Sequence, residues 1–276
     1  MASTDAAVNH AVSRDGTKLG YFTSGQGAQQ LLLVHPALGD HTRWEPLLPH
    51  LEPHVTVHAM DRRGRGASGD HPDYQLEREY EDVAAVVDAI ATEADTPVDV
   101  YGASSGGYYA FGAATLTSSI RSLVLYEGWP LVDPEAMTPP SELLARLEGL
   151  LAAGKPEAAL EMVYREYLQM TDEEVAEVRS QPSWPARVAA AHTIPREARP
   201  GSGPKLNPEQ AARLAVPVLL LVGEDSPEHL RAGAEPVAAA VPDARIAVLE
   251  GQGHAADLLA PEAVAEAILP FLREPR

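Results

Sequence analysis

The stretch Tyr101–Tyr109, "YGASSGGYY", sets two serines among three glycines, directly after the β-favouring run "PVDVY" (97–101) and directly before the small-residue run "AFGAATL" (110–116). A chain that ends a strand and starts a helix here must reverse within a few residues. Side chains at the flanks of so tight a turn would collide, which is the physical use of Gly102 and Gly106. Gly102-Ala103-Ser104-Ser105-Gly106 fits the pattern G-x-S-x-G. In that register Ser104 is the exposed apex, and the free N–H groups of the following helix stabilise negative charge beside it.

The composition narrows what such a serine could serve. The chain has 276 residues, a formal net charge of −19 and no cysteine. It is long enough for one large α/β domain with an insertion, and it has no disulfide framework, thiolate metal site or cysteine nucleophile. The acidic balance argues against nucleic acid and anionic membranes, which are bound through clustered Lys and Arg. The one basic cluster, "DRRGRG" (61–66), reads as a structured turn. No run reaches the roughly 18 apolar residues of a membrane span, and no basic-then-apolar leader opens the chain. The expectation is a soluble cytoplasmic protein, monomer or homodimer, acting on a small molecule without a nucleic-acid or membrane partner. No cofactor and no metal are expected, because the histidines form no zinc spacing and there is no glycine-rich phosphate loop.

Outward from the elbow the pattern alternates. "HAVSRDGTKLGYFTSG" (10–25) reads as a hairpin turning at Asp15-Gly16, and "QQLLLVH" (29–35) and "HVTVHAMD" (54–61) read as strands. In "REYEDVAAVVDAIATEA" (78–94), Val83, Val86, Val87 and Ile90 recur at helical spacing. "IRSLVLYE" (120–127), "VPVLLLVGED" (216–225) and "ARIAVLEG" (244–251) are further strands, and "PEAVAEAILPFLRE" (261–274) is a closing helix. Such alternation predicts an α/β protein with a mostly parallel sheet and helices on both faces. About ninety residues interrupt it. There "PSELLARLEGLLAAG", "PEAALEMVYREYLQM" and "TDEEVAEVRSQ" are helical, with starts at Pro156 and Thr171, between two proline-rich flanks.

With four features in this order, "LLLVHPALGD" (31–40), "AMDRRGRGASGD" (59–70), "VYGASSGG" (100–107) and "LEGQGHAADLLAPE" (249–262), the chain resembles the α/β-hydrolase superfamily over all but its insertion. The resemblance implies a hydrolase core over residues 1–129 and 214–276 and an inserted helical cap over 130–213. It implies a serine hydrolase cleaving a carboxylic ester or lactone through an acyl-enzyme on Ser104, with His254 as base. Backbone N–H groups of Ala37 and Ser105 would form the oxyanion hole, although the usual His-Gly-x here reads His35-Pro36-Ala37. The third catalytic residue has two possible places. The usual G-x-x-D reads Gly223-Glu224-Asp225-Ser226, with Asp225 one residue early. The superfamily's other location, after the strand that follows the nucleophile helix, holds Glu127, and Glu127 ranks ahead. Trp129, Tyr164 and Trp184 are expected to contact substrate, Trp129 by overhanging the nucleophile. The same site would also suit a carbon–carbon bond hydrolase, an acyltransferase or a cofactor-free cyclase, or a ligand-binding protein that has lost turnover.

Overall fold

The computed structural model describes residues 7–133, 138–199 and 204–275. Residues 134–137 and 200–203, in the two proline-rich flanks, lie outside the described residues. The Asp15-Gly16 turn joins β1 (Val8–Val12) to β2 (Lys18–Ser24), with the Asp15 carboxylate accepting the Thr17 N–H at 2.9 Å. The remaining strands are β3 (Gln30–Val34), β4 (Thr56–Met60), β5 (Val98–Ala103), β6 (Ile120–Tyr126), β7 (Val218–Gly223) and β8 (Ala244–Leu249). They form one sheet in the order β1-β2-β4-β3-β5-β6-β7-β8, in which β2 runs antiparallel to β1 and β4 and all other pairs are parallel. Every residue of β3, β5 and β7 is buried, as strands covered on both faces must be.

One face of the sheet packs on the helices Leu76–Ala94, Ser105–Ala113 and Ala234–Ala240 through Leu32, Val34, Val87, Ala110 and Val237. The other packs on Leu48–Leu51 and Pro261–Leu272 through Leu33, Tyr126, Ile268 and Leu272. Chain order reverses between β3 and β5, since β3 leads to β4 on one side and the next strand, β5, lies on the other. Ligands in open α/β sheets bind outside the carboxyl ends of strands at such a switch point.

Over that point stands the inserted helical unit. Its helices include Ser141–Ala152, Pro156–Met162, Asp172–Ser180 and Trp184–Ala190. Thr171 caps Asp172–Ser180 with a reciprocal capping box to Glu174. Their apolar faces make a separate cluster that reaches down to Leu38 and Leu258 of the core. The chain departs and returns side by side, with Leu131 N–H donating to the Pro204 carbonyl at 2.8 Å and Leu206 N–H to the Leu131 carbonyl at 2.8 Å.

The "DRRGRG" turn is what ties this unit down. Arg62, fully buried, meets Glu79 of the core at 2.8 Å and Glu197 of the inserted unit at 3.0 Å. Arg65 also pairs with Glu197, and it donates to Thr193 Oγ1 at 2.6 Å. Burial opposes charge on Glu197, but the two guanidiniums more than offset this and pull its pKa down to about 2. Among the described residues Asp61 pairs with no arginine. It accepts the backbone N–H groups of His41 and Ala67, both at 2.7 Å, and thereby holds the turn itself.

Two predictions test these buried groups. Arg62→Leu leaves Glu79 and Glu197 buried beside one cation fewer and should lose about 3–5 kcal/mol in urea unfolding. Arg146→Ala, which removes an exposed pair with Glu166, should leave the midpoint unchanged. His58 is buried in β4 between Thr23 Oγ1 at 2.9 Å and Gln30 Oε1 at 2.8 Å, and burial lowers its pKa to about 4. The unfolded chain therefore binds a proton that the folded one refuses below the ordinary histidine value of about 6.5. Stability from neutral His58 is complete above that value and is lost as pH falls toward 4. The stability difference between the unsubstituted protein and His58→Gln should shrink over that interval.

Candidate active site

At the end of β5 the backbone of Ser104 takes φ 49° and ψ −126°, a left-handed conformation that L-residues adopt only under constraint. The constraint is close approach. A Cβ at Gly106 would stand 2.1 Å from the Val34 carbonyl oxygen, and one at Gly102 would stand 2.6 Å from the Gly106 carbonyl oxygen. The Ser104 N–H donates to the Tyr126 carbonyl at 2.7 Å, which fastens the turn to β6. The helix Ser105–Ala113 starts at once, so its N-terminus lies against Ser104.

Glu127, directly after β6, is the carboxylate that the structure brings to His254. Its Oε2 lies 2.5 Å from His254 Nδ1, and its Oε1 accepts the Gly223 N–H at 2.8 Å. The residue is 1% exposed and has φ 46°, so the chain turns sharply to aim the carboxylate along the strand ends. A carboxylate can only accept. Nδ1 therefore carries a proton, and Nε2 is the atom left to exchange one. Tyr126 holds the adjoining loop, donating its hydroxyl to the Gly253 carbonyl. Asp225 is exposed, and its N–H donates to the Gln252 carbonyl at 2.9 Å. The end of β7 thus contributes to the site a backbone N–H for Glu127, and in the loop that follows Ser226, at the usual acid position, is buried.

The loop after β3 is set by a histidine whose ring bonds to Pro36 and Arg62 rather than to Ser104. His35 is fully buried, and burial foremost, then the nearby Arg62 and Arg65, lower its pKa well below the ordinary value. Its Nε2 accepts the Arg62 N–H at 3.1 Å, so Nδ1 bears the hydrogen that it donates to the Pro36 carbonyl at 2.7 Å. In a trans peptide the C=O and the next N–H point to opposite sides. Holding the Pro36 carbonyl therefore turns the Ala37 N–H away from His35. Among the described residues nothing accepts that N–H. Ser105 is tethered from behind, its Oγ accepting from Arg62 at 3.3 Å.

Ala37, Ser104, Ser105 and His254 all line one cavity of about 180 Å³ beneath the inserted helices. Its walls are mostly apolar, with Leu143, Leu147, Val163, Ile194 and Leu258 among them. Tyr164 and Tyr167 reach it from a π-helical turn, Val163–Tyr167, that continues the helix Pro156–Met162. Burial pushes the Tyr167 phenol up to about 12, so it stays protonated. Of the three aromatics expected at the substrate, only Tyr164 lines the cavity. Trp129 is 1% exposed, packs in the core below, and donates its indole N–H to the Ala232 carbonyl at 2.9 Å. The turn at Glu127 sends the chain inward, which replaces the expected overhang. Trp184 packs behind Tyr164 at a ring separation of 6.2 Å and donates to Glu157 at 3.0 Å.

Asp40, His41 and Asp61 form the one group among the described residues whose ligand atoms converge as metal ligands would. Asp61 already accepts two backbone N–H groups and the His41 ring, so the group reads as a brace for the turn. Sequence reasoning passed over Arg43, Asp257 and Arg187. The available signal was a charged residue on an apolar helical face, as Arg187 lies three residues after Trp184 and three before Ala190.

Residues 31–267 match the alpha/beta hydrolase family. Among solved structures, an alpha/beta hydrolase from Sphaerobacter thermophilus is 35% identical, with 95% of this chain and 99% of that one covered and a TM-score of 0.78. A thermophilic esterase from Thermogutta terrifontis, solved with malate bound, is 26% identical over 97% of this chain and 98% of its own, with a TM-score of 0.72. An enol-lactonase from Burkholderia xenovorans shares the fold at 20% identity, with 96% and 100% covered and a TM-score of 0.71.

The geometry orders the two carboxylates. Glu127→Gln should lower the rate at which a fluorophosphonate labels Ser104 by about 10²–10⁴-fold, since an amide neither stabilises imidazolium nor fixes its tautomer. Asp225→Asn should leave the rate within about twofold, the expectation for a surface change away from the site. The opposite order would return the role to the loop after β7.

Proposed function

The chain belongs to the alpha/beta hydrolase family and is a hydrolase of that fold, and from this premise we propose that it cleaves a small-molecule carboxylic ester or lactone through an acyl-enzyme on Ser104. The observation that carries the proposal is the buried Glu127–His254 contact beside a strained serine at a helix N-terminus, all at one cavity.

Serine's hydroxyl is a weak nucleophile at neutral pH and needs a base that takes its proton as the new bond forms. With Nδ1–H held by Glu127, His254 Nε2 accepts the Ser104 proton as Oγ attacks the carbonyl carbon. The carbonyl π electrons move to oxygen, and the N–H groups of Ala37 and Ser105 receive the oxyanion. Collapse of the tetrahedral intermediate breaks the carbon–oxygen bond to the leaving group, which takes the proton from His254. In a lactone that oxygen stays attached to the acyl chain. Water then repeats the sequence, giving its proton to His254 and releasing the acid with Ser104 restored. Glu127 remains ionised throughout and stabilises the transient imidazolium.

Both oxyanion residues are tied from behind by Arg62, directly to the Ser105 side chain and through His35 to the 36–37 peptide. These donors are thus fixed before substrate arrives, which supports acyl transfer because preorganised dipoles need no rearrangement at the moment of reaction. The apolar walls suit an uncharged carbon chain and exclude bulk water from the intermediate.

A panel of esters, lactones and thioesters assayed with the purified chain tests the proposal. Ser104→Ala should reduce kcat by roughly 10⁴–10⁶-fold with the circular dichroism spectrum unchanged. Ser105→Ala removes one long side-chain hydrogen bond and should lose no more than about tenfold. Turnover that survives Ser104→Ala would refute the mechanism.

A further inference from the structure

The wall of the cavity at Arg43 and Tyr164 contains a charge imbalance. Arg43, 6% exposed, grips Asp257 in a two-pronged pair, Nε to Oδ2 at 2.8 Å and Nη2 to Oδ1 at 2.7 Å. Arg187, on the helix Trp184–Ala190, is fully buried and among the described residues pairs with no carboxylate. Its Nε and Nη2 donate to Ser183 Oγ, both at 3.2 Å, and its Nη1 donates to Tyr164 Oη at 3.2 Å and to the Leu38 carbonyl at 3.4 Å. All of these acceptors are neutral, and all lie beyond the 2.7–2.9 Å or so of a charge-assisted bond. Two guanidiniums therefore share one carboxylate whose oxygens are both engaged.

This is an unusual place to leave a cation. A guanidinium stays ionised in a protein, and an uncompensated buried charge is strongly unfavourable. Burial first, and Arg43 with it, oppose the charge on Arg187, and Tyr164 and Asp257 only partly offset them. The chain has 40 acidic residues, yet among the described residues none pairs with this arginine.

Tyr164 connects the imbalance to the cavity. Its hydroxyl accepts from Arg187 and so keeps its own proton to give, and among the described residues none takes it. A buried phenol normally finds such an acceptor. Tyr164, Arg43 and Leu38 all line the cavity that holds Ser104 and His254. Glu197 lines it too, but Arg62 and Arg65 neutralise its charge, so it does not repel an anion.

We propose that the substrate carries a free carboxylate besides its scissile ester or lactone, and that this carboxylate sits on the Tyr164 hydroxyl and the Arg43 side of the cavity in the field of Arg187. The class is the half-ester of a dicarboxylic acid, or a lactone bearing a carboxylate, with its aliphatic spacer along Leu143, Leu147 and Val163. The proposal rests on the Ser104 reading for the ester but not for the anion. The second carboxylate supplies the missing negative charge and completes the hydrogen bonding of Tyr164.

Calorimetric binding to Ser104→Ala protein separates the two. Monoethyl esters of straight-chain dicarboxylic acids from succinate to suberate are compared with ethyl alkanoates of matched length. At the best-fitting length the half-ester should bind at least about tenfold more tightly, the range of a hydrogen bond to a charged group. Tyr164→Phe in the same background should shrink that preference, and Arg187→Met should abolish it. Equal affinity for charged and neutral esters at every length, in protein that retains Arg187, would overturn the proposal without reference to any variant's folding. A preference that survives in folded Arg187→Met protein would also overturn it. Selective binding of a half-ester that the unsubstituted enzyme fails to hydrolyse would uphold the anion site and refute the Ser104 reading. Hydrolysis of neutral esters with no half-ester preference would do the reverse.

Discussion

Between β3 and β6 the backbone of the elbow has no room for a side chain. The Gly106 Cα faces the Val34 carbonyl, Gly128 faces the Ser104 carbonyl, and a Cβ at either would overlap the opposing oxygen at 2.1 Å and 1.8 Å respectively. This crowding forces Ser104 into its left-handed conformation and fixes the start of the helix behind it. It also brings three strand ends together, so that the Ala37 loop, the serine and Glu127 come from adjacent strands. The stiffness that this implies matters for the proposed acyl transfer, where sub-ångström placement of donors and base decides the rate.

Charge is handled differently at the two ends of the site. Where the inserted helices dock, buried cations and anions are matched, Arg62 with Glu79 and Glu197 and Arg65 with Glu197, and in the core beneath Arg63 is matched by Asp82 and Asp15. Arg62 belongs at once to this docking contact and to the support of Ser105 and His35. Seating of the inserted unit and placement of Ser105 and the loop after β3 are therefore coupled through one guanidinium. Around Arg187 the matching stops, and it stops beside the cavity. Among the described residues the other buried arginines of this region are matched, and Arg187 is the exception on which the proposed anion site is argued.

Much of the fold was legible because the signals that produce it are short-ranged. Strand and helix periodicities and the helix starts at Thr171 and Pro156 each depend on a few neighbouring residues. The glycines of "YGASSGG" declare a sharp turn for the same reason, and His254 follows the last strand within five residues. That "DRRGRG" forms a structured turn was legible in the sequence, but its pairing with Glu197 across the insertion was not.

What the sequence determined by itself, then, was the order of strands and helices, the elbow and its serine, and the histidine loop, because backbone sterics and local propensity act over a turn or less. What only the tertiary structure decided was pairing over distance. Glu127 and Asp225 were both open by position. The choice between them rests on the turn at φ 46° and on the Gly223 N–H, 96 residues away, which becomes a neighbour only once β6 and β7 pair. Trp129 goes inward because an acceptor at Ala232, 103 residues on, lies under it. Arg187 is conspicuous only when its surroundings can be searched for a carboxylate, since charge balance in a core belongs to the packed volume and not to any stretch of chain.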